Sequence, residues 1–234
     1  MLTAPDEVGT GFAFLTAPPE EFVPEPVRGQ PVVGVILTHT GPVEEGQRVL
    51  APLVEFGPPG LVMVEPMPYV AVQQMINAGN KEGFLNYWSG DFFGALPDDA
   101  IDTLVDIATN PVSPLTQVIL IPGGGALARV PDQATAFGNR DAAWNIHYLS
   151  MWSDPADTDA NIAYTKRLSG AMKPWTTGGS YLNFLGDEGA SRIAASFGPE
   201  KFARLQRIKA QWDPDNVFRH NQNIPPAPQI PAQR

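Results

Sequence analysis

Tyr181 and Asn183 stand two residues apart in Ser180-Tyr181-Leu182-Asn183-Phe184. At that spacing an extended strand presents the phenol and the carboxamide to one face, and Leu182 and Phe184 to the other. A phenol so placed needs a positive neighbour or a concerted transfer to act as a base near neutrality. The same tyrosine can equally serve as half-buried packing. Trp144-Asn145-Ile146-His147-Tyr148-Leu149 repeats the alternation, with Asn145 and His147 on one side. His147 is the best placed histidine, readable as a base, as a hydrogen-bond partner for substrate or as a satisfied polar residue. Asn221-Gln222-Asn223 sets three amides in succession, able either to cap turns or to bond the edge of a ligand.

Other chemistries find less support. Gly123-Gly124-Gly125-Ala126-Leu127-Ala128 fits a loose dinucleotide fingerprint, which requires a helix to open at the glycines. Pro131 follows too soon for such a helix, so a tight turn between strands is expected instead. His39, His147 and His220 lie far apart without a two-histidine metal spacing, so no metal site is expected. The absence of cysteine excludes disulfides and cysteine nucleophiles within this sequence. Lys and Arg number 15 against 25 acidic residues, a net charge of −10 that disfavours nucleic acid and anionic membrane surfaces as partners. Met1-Leu2-Thr3-Ala4-Pro5-Asp6 has neither the basic segment nor the apolar core of a signal peptide, and no apolar run approaches the ~20 residues that span a bilayer. A cytoplasmic protein acting on a small molecule is the expectation.

The elements that must position these groups follow from periodicity. Of the 234 residues 43% are apolar, enough to bury a substantial core. Val32–Thr38 is apolar on both parities, which predicts a central strand, and Val43–Phe56 turns helical with Val43, Leu50, Leu53 and Val54 on one stripe. A short strand near Leu61–Val64 and a brief helix opened by Pro68 come next. Asn86–Phe93 is aromatic-rich and of undecided type. Asp98-Asp99 can cap a helix whose Ile101, Leu104, Val105 and Ala108 share a face. Strands are expected at Val118–Ile121, Trp144–Trp152 and Ser180–Phe184. Helices are expected from Asp154 to about Met172, at about Asp187–Ser196 and from Pro199 to Trp212. Several connections are too short for parallel crossovers, so the fold class is α+β: an antiparallel sheet with helices on one face, a C-terminal helix and an extended tail.

Three stretches taken together resemble the C-terminal signature of the berberine-bridge-enzyme-like FAD-linked oxidases. They are Gly179–Phe184, then Phe197-Gly198-Pro199-Glu200-Lys201-Phe202 with its helix to Lys209, and Trp212-Asp213-Pro214-Asp215-Asn216-Val217-Phe218 through Pro226. Thr3–Glu7, Gly41–Pro59, Met67-Pro68-Tyr69 and Ala136–Arg140 are similar to bacterial members, so the likeness extends over nearly the whole sequence.

The resemblance implies FAD as cofactor and hydride transfer from an alcohol or amine carbon to the flavin. It implies a catalytic Tyr181 beside the flavin ring. His147 falls at a substrate-facing strand position that the family often fills with Glu or Gln. It implies cofactor contacts at Asn183, Asn221 and Asn223. It further implies that most of the FAD site belongs to an N-terminal half not included in these 234 residues. On that expectation residues 1–178 are a truncated substrate-binding domain, 179–226 the berberine-like segment of the same unit, and 227–234 a flexible tail. A separately encoded FAD-binding half is then an expected partner. The alternative is a non-catalytic remnant or interaction module.

Overall fold

Alternation along five strands decides what each face of the sheet carries. The computed structural model describes residues 4–80 and 82–228. The strands are Val8–Thr16 (β1), Pro31–His39 (β2), Leu85–Phe93 (β3), Gln117–Pro122 (β4) and Trp144–Trp152 (β5). They pair antiparallel throughout, in the order β2-β1-β4-β5-β3. The helices are Val43–Val54 (α1), Tyr69–Gln74 (α2), Asp98–Ala108 (α3), Gly125–Arg129 (α4), Thr158–Met172 (α5), Ala190–Phe197 (α6) and Pro199–Trp212 (α7). This is the expected α+β class.

The helix-covered face holds the core. Phe93, Val118, Leu120, Ile146 and Tyr148 point from the strands toward Ala100, Leu104 and Ile107 of α3 and Tyr164, Leu168 and Met172 of α5. Each large aliphatic residue buried there contributes roughly 1.5–3 kcal/mol. Tyr164 Oη donates to Ile107 O at 3.1 Å, joining the two helices. The inward stripe of α3 is rotated from the expected one: Leu104 and Ala108 are buried, but Ile101 and Val105 remain 43% and 40% exposed.

Four expectations are corrected. β2 is an edge strand rather than a central one, and Val33 and Val35 are 56% and 48% exposed. Its β-branched run records strand propensity, which does not require cover on both faces. Leu61–Val64 forms no strand. A helix does open at the triple glycine, where Gly124 and Gly125 take φ of 105° and 53°, but α4 lasts five residues before Val130 returns to extended backbone ahead of Pro131. Because β4 pairs antiparallel with β5, the dinucleotide fingerprint has no parallel crossover to sit on. Finally, Ser180–Phe184 is not a strand. Of the expected tail, Ala227 N–H donates to Gln206 O at 3.0 Å on α7, and residues 229–234 lie outside the described residues.

Candidate functional site

The chain reaches the second face of the sheet at the end of β3. Thr177 N–H donates to Phe92 O at 2.8 Å and Phe92 N–H to Gly179 O at 3.1 Å, so residues 177–179 briefly accompany the strand. Gly178, at φ 88°, takes a left-handed conformation that few other residues adopt. Beyond it, Leu182–Phe184 makes a single 3-10 turn, with Phe184 N–H donating to Tyr181 O at 2.8 Å. Such a turn aligns residues three apart, so Tyr181 and Phe184 face the same way, their rings edge-to-face at 5.1 Å. Tyr181 and Asn183 still meet: Asn183 Nδ2–H donates to Tyr181 Oη at 2.7 Å. The phenol's own proton is left for another acceptor.

Phe184 lies on His147. The rings are parallel, 3.9 Å between centroids and 2° between planes, and Trp88 flanks the imidazole at 5.5 Å. Gly90 stands opposite His147 in the sheet and makes room for this cover. His147 is 5% exposed and its Nε2 has no hydrogen-bond partner. Burial lowers its pKa to about 4, so the ring is neutral near pH 7.

Beside the stack the sheet floors a pocket of about 170 Å³. Phe92, Ile121, Phe137, Trp144, Tyr181 and Phe184 form its apolar walls, and Asn145 lies between Phe92 and Ile121 in the strand register. Asn145 is 8% exposed, yet neither its Nδ2 nor its Oδ1 has a hydrogen-bond partner. Each such atom costs roughly 1–3 kcal/mol, so the fold keeps this amide against its own stability. Sequence parity sets Asn145 on the side of His147; what parity does not report is that both amide atoms go unpaired.

Ion pairing holds the loop in place. Asp91 is completely buried, and Arg192 of α6 donates to it through Nη2 at 2.9 Å, with Lys173 Nζ at 3.4 Å and Ser169 Oγ at 3.3 Å. Burial raises the Asp91 pKa, while the two cations oppose the rise. Arg192 also donates to Gly90 O at 2.9 Å and Gly178 O at 3.3 Å, fastening the turn that leads to Tyr181 onto β3. The C-terminal segment joins the same loop: Gln222 Nε2 donates to Leu185 O at 2.6 Å. Asn221 and Asn223 flank that anchor, Asn221 exposed at φ 59° and Asn223 half-buried with its Oδ1 unpaired. The expected residues are thus gathered around one loop, with His147 beneath it and Asn221 at the surface.

A larger cleft, about 570 Å³, lies against α4 and α6. Its cations are engaged by the protein itself, Lys201 with Asp132 and Phe137 O, Arg140 with Leu127 O and Thr135 Oγ1. The smaller pocket, where both amide atoms of Asn145 are unpaired, is therefore the candidate site. Among the described residues no cluster of His, Asp or Glu is arranged to hold a metal ion, and no helix is long and apolar enough to cross a membrane.

The architecture is thus an antiparallel sheet with helices on one face and an aromatic, amide-bearing pocket on the other. Residues 180–225 match the family described as "Berberine and berberine like". Two relatives from Bacillus subtilis (strain 168), the uncharacterized FAD-linked oxidoreductases YvdP and YgaK, are 30% and 32% identical. The matches cover 77% and 88% of this chain but 41% and 45% of the relatives, so the chain spans less than half of their length. The solved structure of wild-type BBE-like 1 from Physcomitrella patens superposes with a TM-score of 0.76 at 19% identity, over 97% of this chain and 49% of that one, a likeness of fold. The chain belongs to the berberine-bridge-enzyme-like family of FAD-linked oxidoreductases.

Proposed function

We propose that this chain forms the substrate-side wall of an FAD-dependent oxidoreductase that removes a hydride from an alcohol or amine carbon. The observation that carries the reading is an aromatic pocket on the face of the sheet opposite the helices, lined by Tyr181 and by Asn145, whose two amide atoms are both unpaired. Apolar aromatic walls with a free amide suit a substrate ring that an isoalloxazine would cover from the open side. FAD, when bound, supplies the hydride acceptor.

The chain's own residues orient and exchange protons. Tyr181 Oη, held by Asn183, would accept the proton of a substrate hydroxyl as the hydride leaves the carbon, its own proton passing to another acceptor. His147, neutral and covered by Phe184, backs the aromatic wall. Asn183, Asn221 and Asn223 are the residues that would contact the cofactor. A flavin-binding half, on the same polypeptide or a separate one, is the partner that packs on this face.

The test is reconstitution. The chain is produced together with, or fused to, the flavin-binding half of a relative, and retained yellow FAD with substrate-dependent peroxide production is the expected result. Tyr181→Phe should then slow flavin reduction by on the order of 100-fold, and an unchanged rate would remove Tyr181 from the chemistry. A chain that stays colourless and inactive with such a half is an interaction module instead.

A further inference from the structure

We infer that the pocket over β5 selects an uncharged, ring-bearing substrate whose hydroxyl or carboxamide-like group meets Asn145 with one donor and one acceptor. The inference rests on the oxidoreductase reading and names the substrate class of that same site.

Three observations carry it. First, the side-chain amide of Asn145 is buried with both its N–H donors and its carbonyl oxygen unpaired. A hydrocarbon would leave both atoms as they are; a hydroxyl can accept from the amide N–H and donate to its oxygen, and a carboxamide can do both in one plane. Second, no charged side chain lines the pocket among the described residues. The nearby Arg140 is not among its lining residues: its guanidinium lies over the Phe137 ring at 5.1 Å and donates to Leu127 O and Thr135 Oγ1, with Nε alone unpaired. A carboxylate or ammonium entering here would lose its hydration without a counter-charge. Third, the volume of about 170 Å³ suits one six-membered ring, since an apolar protein cavity of roughly 150 Å³ accommodates benzene. Phe92, Phe137 and Trp144 offer that ring faces and edges to pack on.

Asn145 is then the specificity-determining residue, and probe molecules test it in the full 234-residue chain without flavin. Benzamide, benzyl alcohol, toluene, benzoate and benzylamine are titrated by ligand-observed NMR against the wild type, Asn145→Leu and Asn145→Ser, each checked for cooperative unfolding. The expected result is that benzamide and benzyl alcohol bind the wild type about tenfold more tightly than toluene, and more tightly than either charged probe. In Asn145→Leu that preference should vanish or reverse in favour of toluene, and in Asn145→Ser it should shrink. An equal preference in all three proteins, tightest binding of benzoate or benzylamine, or no binding of any probe would overturn the assignment. Because no cofactor takes part, a failed preference alongside an active reconstituted oxidase rejects the substrate class alone. An Asn145-dependent preference in a chain that never acquires flavin rejects the oxidoreductase reading alone.

Discussion

His147 and Phe184 stack face to face, with ring centroids 3.9 Å apart, because the residue opposite His147 on the neighbouring strand is Gly90. A Cβ at Gly90 would come within 2.9 Å of Phe184 Cβ and 3.2 Å of Ile146 O. Gly90→Ala is therefore expected to lift Phe184 off the imidazole and to cost about 1–3 kcal/mol, as overpacking generally does. Urea unfolding measures the loss, and a midpoint equal to the wild type's would show that the loop yields without strain.

The covered imidazole makes stability depend on pH. His147 titrates at about 4 in the folded chain against an ordinary 6.5, because burial disfavours the charged ring. The unfolded chain thus binds a proton between those values that the folded one refuses. The stabilisation is complete above about pH 6.5 and is lost as pH falls toward 4, up to about 3 kcal/mol. Unfolding midpoints between pH 7.5 and 4.5 should fall in the wild type and lose much of that slope in His147→Gln. Parallel curves for the two proteins would assign the acid sensitivity to other groups.

Arg192 serves both the core and the pocket, since one guanidinium binds the buried Asp91 carboxylate and the Gly90 and Gly178 carbonyls. Arg192→Met leaves Asp91 with Lys173 as its remaining cation, and removing one member of a buried pair costs about 3 kcal/mol or more. Adding Asp91→Asn should recover part of that loss by removing the stranded charge. If the double variant is no more stable than the single one, the carbonyl contacts rather than the ion pair hold the turn.

Much of this fold is legible from periodicity, and the exceptions share a cause. β5, α3, α5 and α7 stand where alternation and helical spacing put them, although the buried stripe of α3 is rotated and Ile208 and Trp212 of α7 stay exposed. Ser180–Phe184 alternates just as regularly, but its backbone bonds close locally into a 3-10 turn, and the same five residues put Tyr181 and Phe184 together. β1 escapes notice because glycines at positions 9 and 11 interrupt its pattern; only the pairing of Phe12 with Leu120 and Phe14 with Val118 reveals which side faces the helices. In the site, residue types give Tyr181, Asn183 and His147. Phe184's cover of His147 and the orphaned amide of Asn145 depend on a loop laid across strands far away in sequence, which no local pattern encodes.

Asn145 offers the sharpest separation of stability from function. It occupies a central strand between Phe92 and Ile121, where an apolar residue would pack without leaving any polar atom unpaired. Leu is nearly isosteric with Asn, so Asn145→Leu removes two unsatisfied groups while keeping most of the volume. The substitution is expected to stabilise the isolated chain by about 1–3 kcal/mol, read as a higher urea midpoint with an unchanged slope. A midpoint below the wild type's would mean that the amide is satisfied within the folded protein and that the pocket has no free hydrogen-bonding group to present.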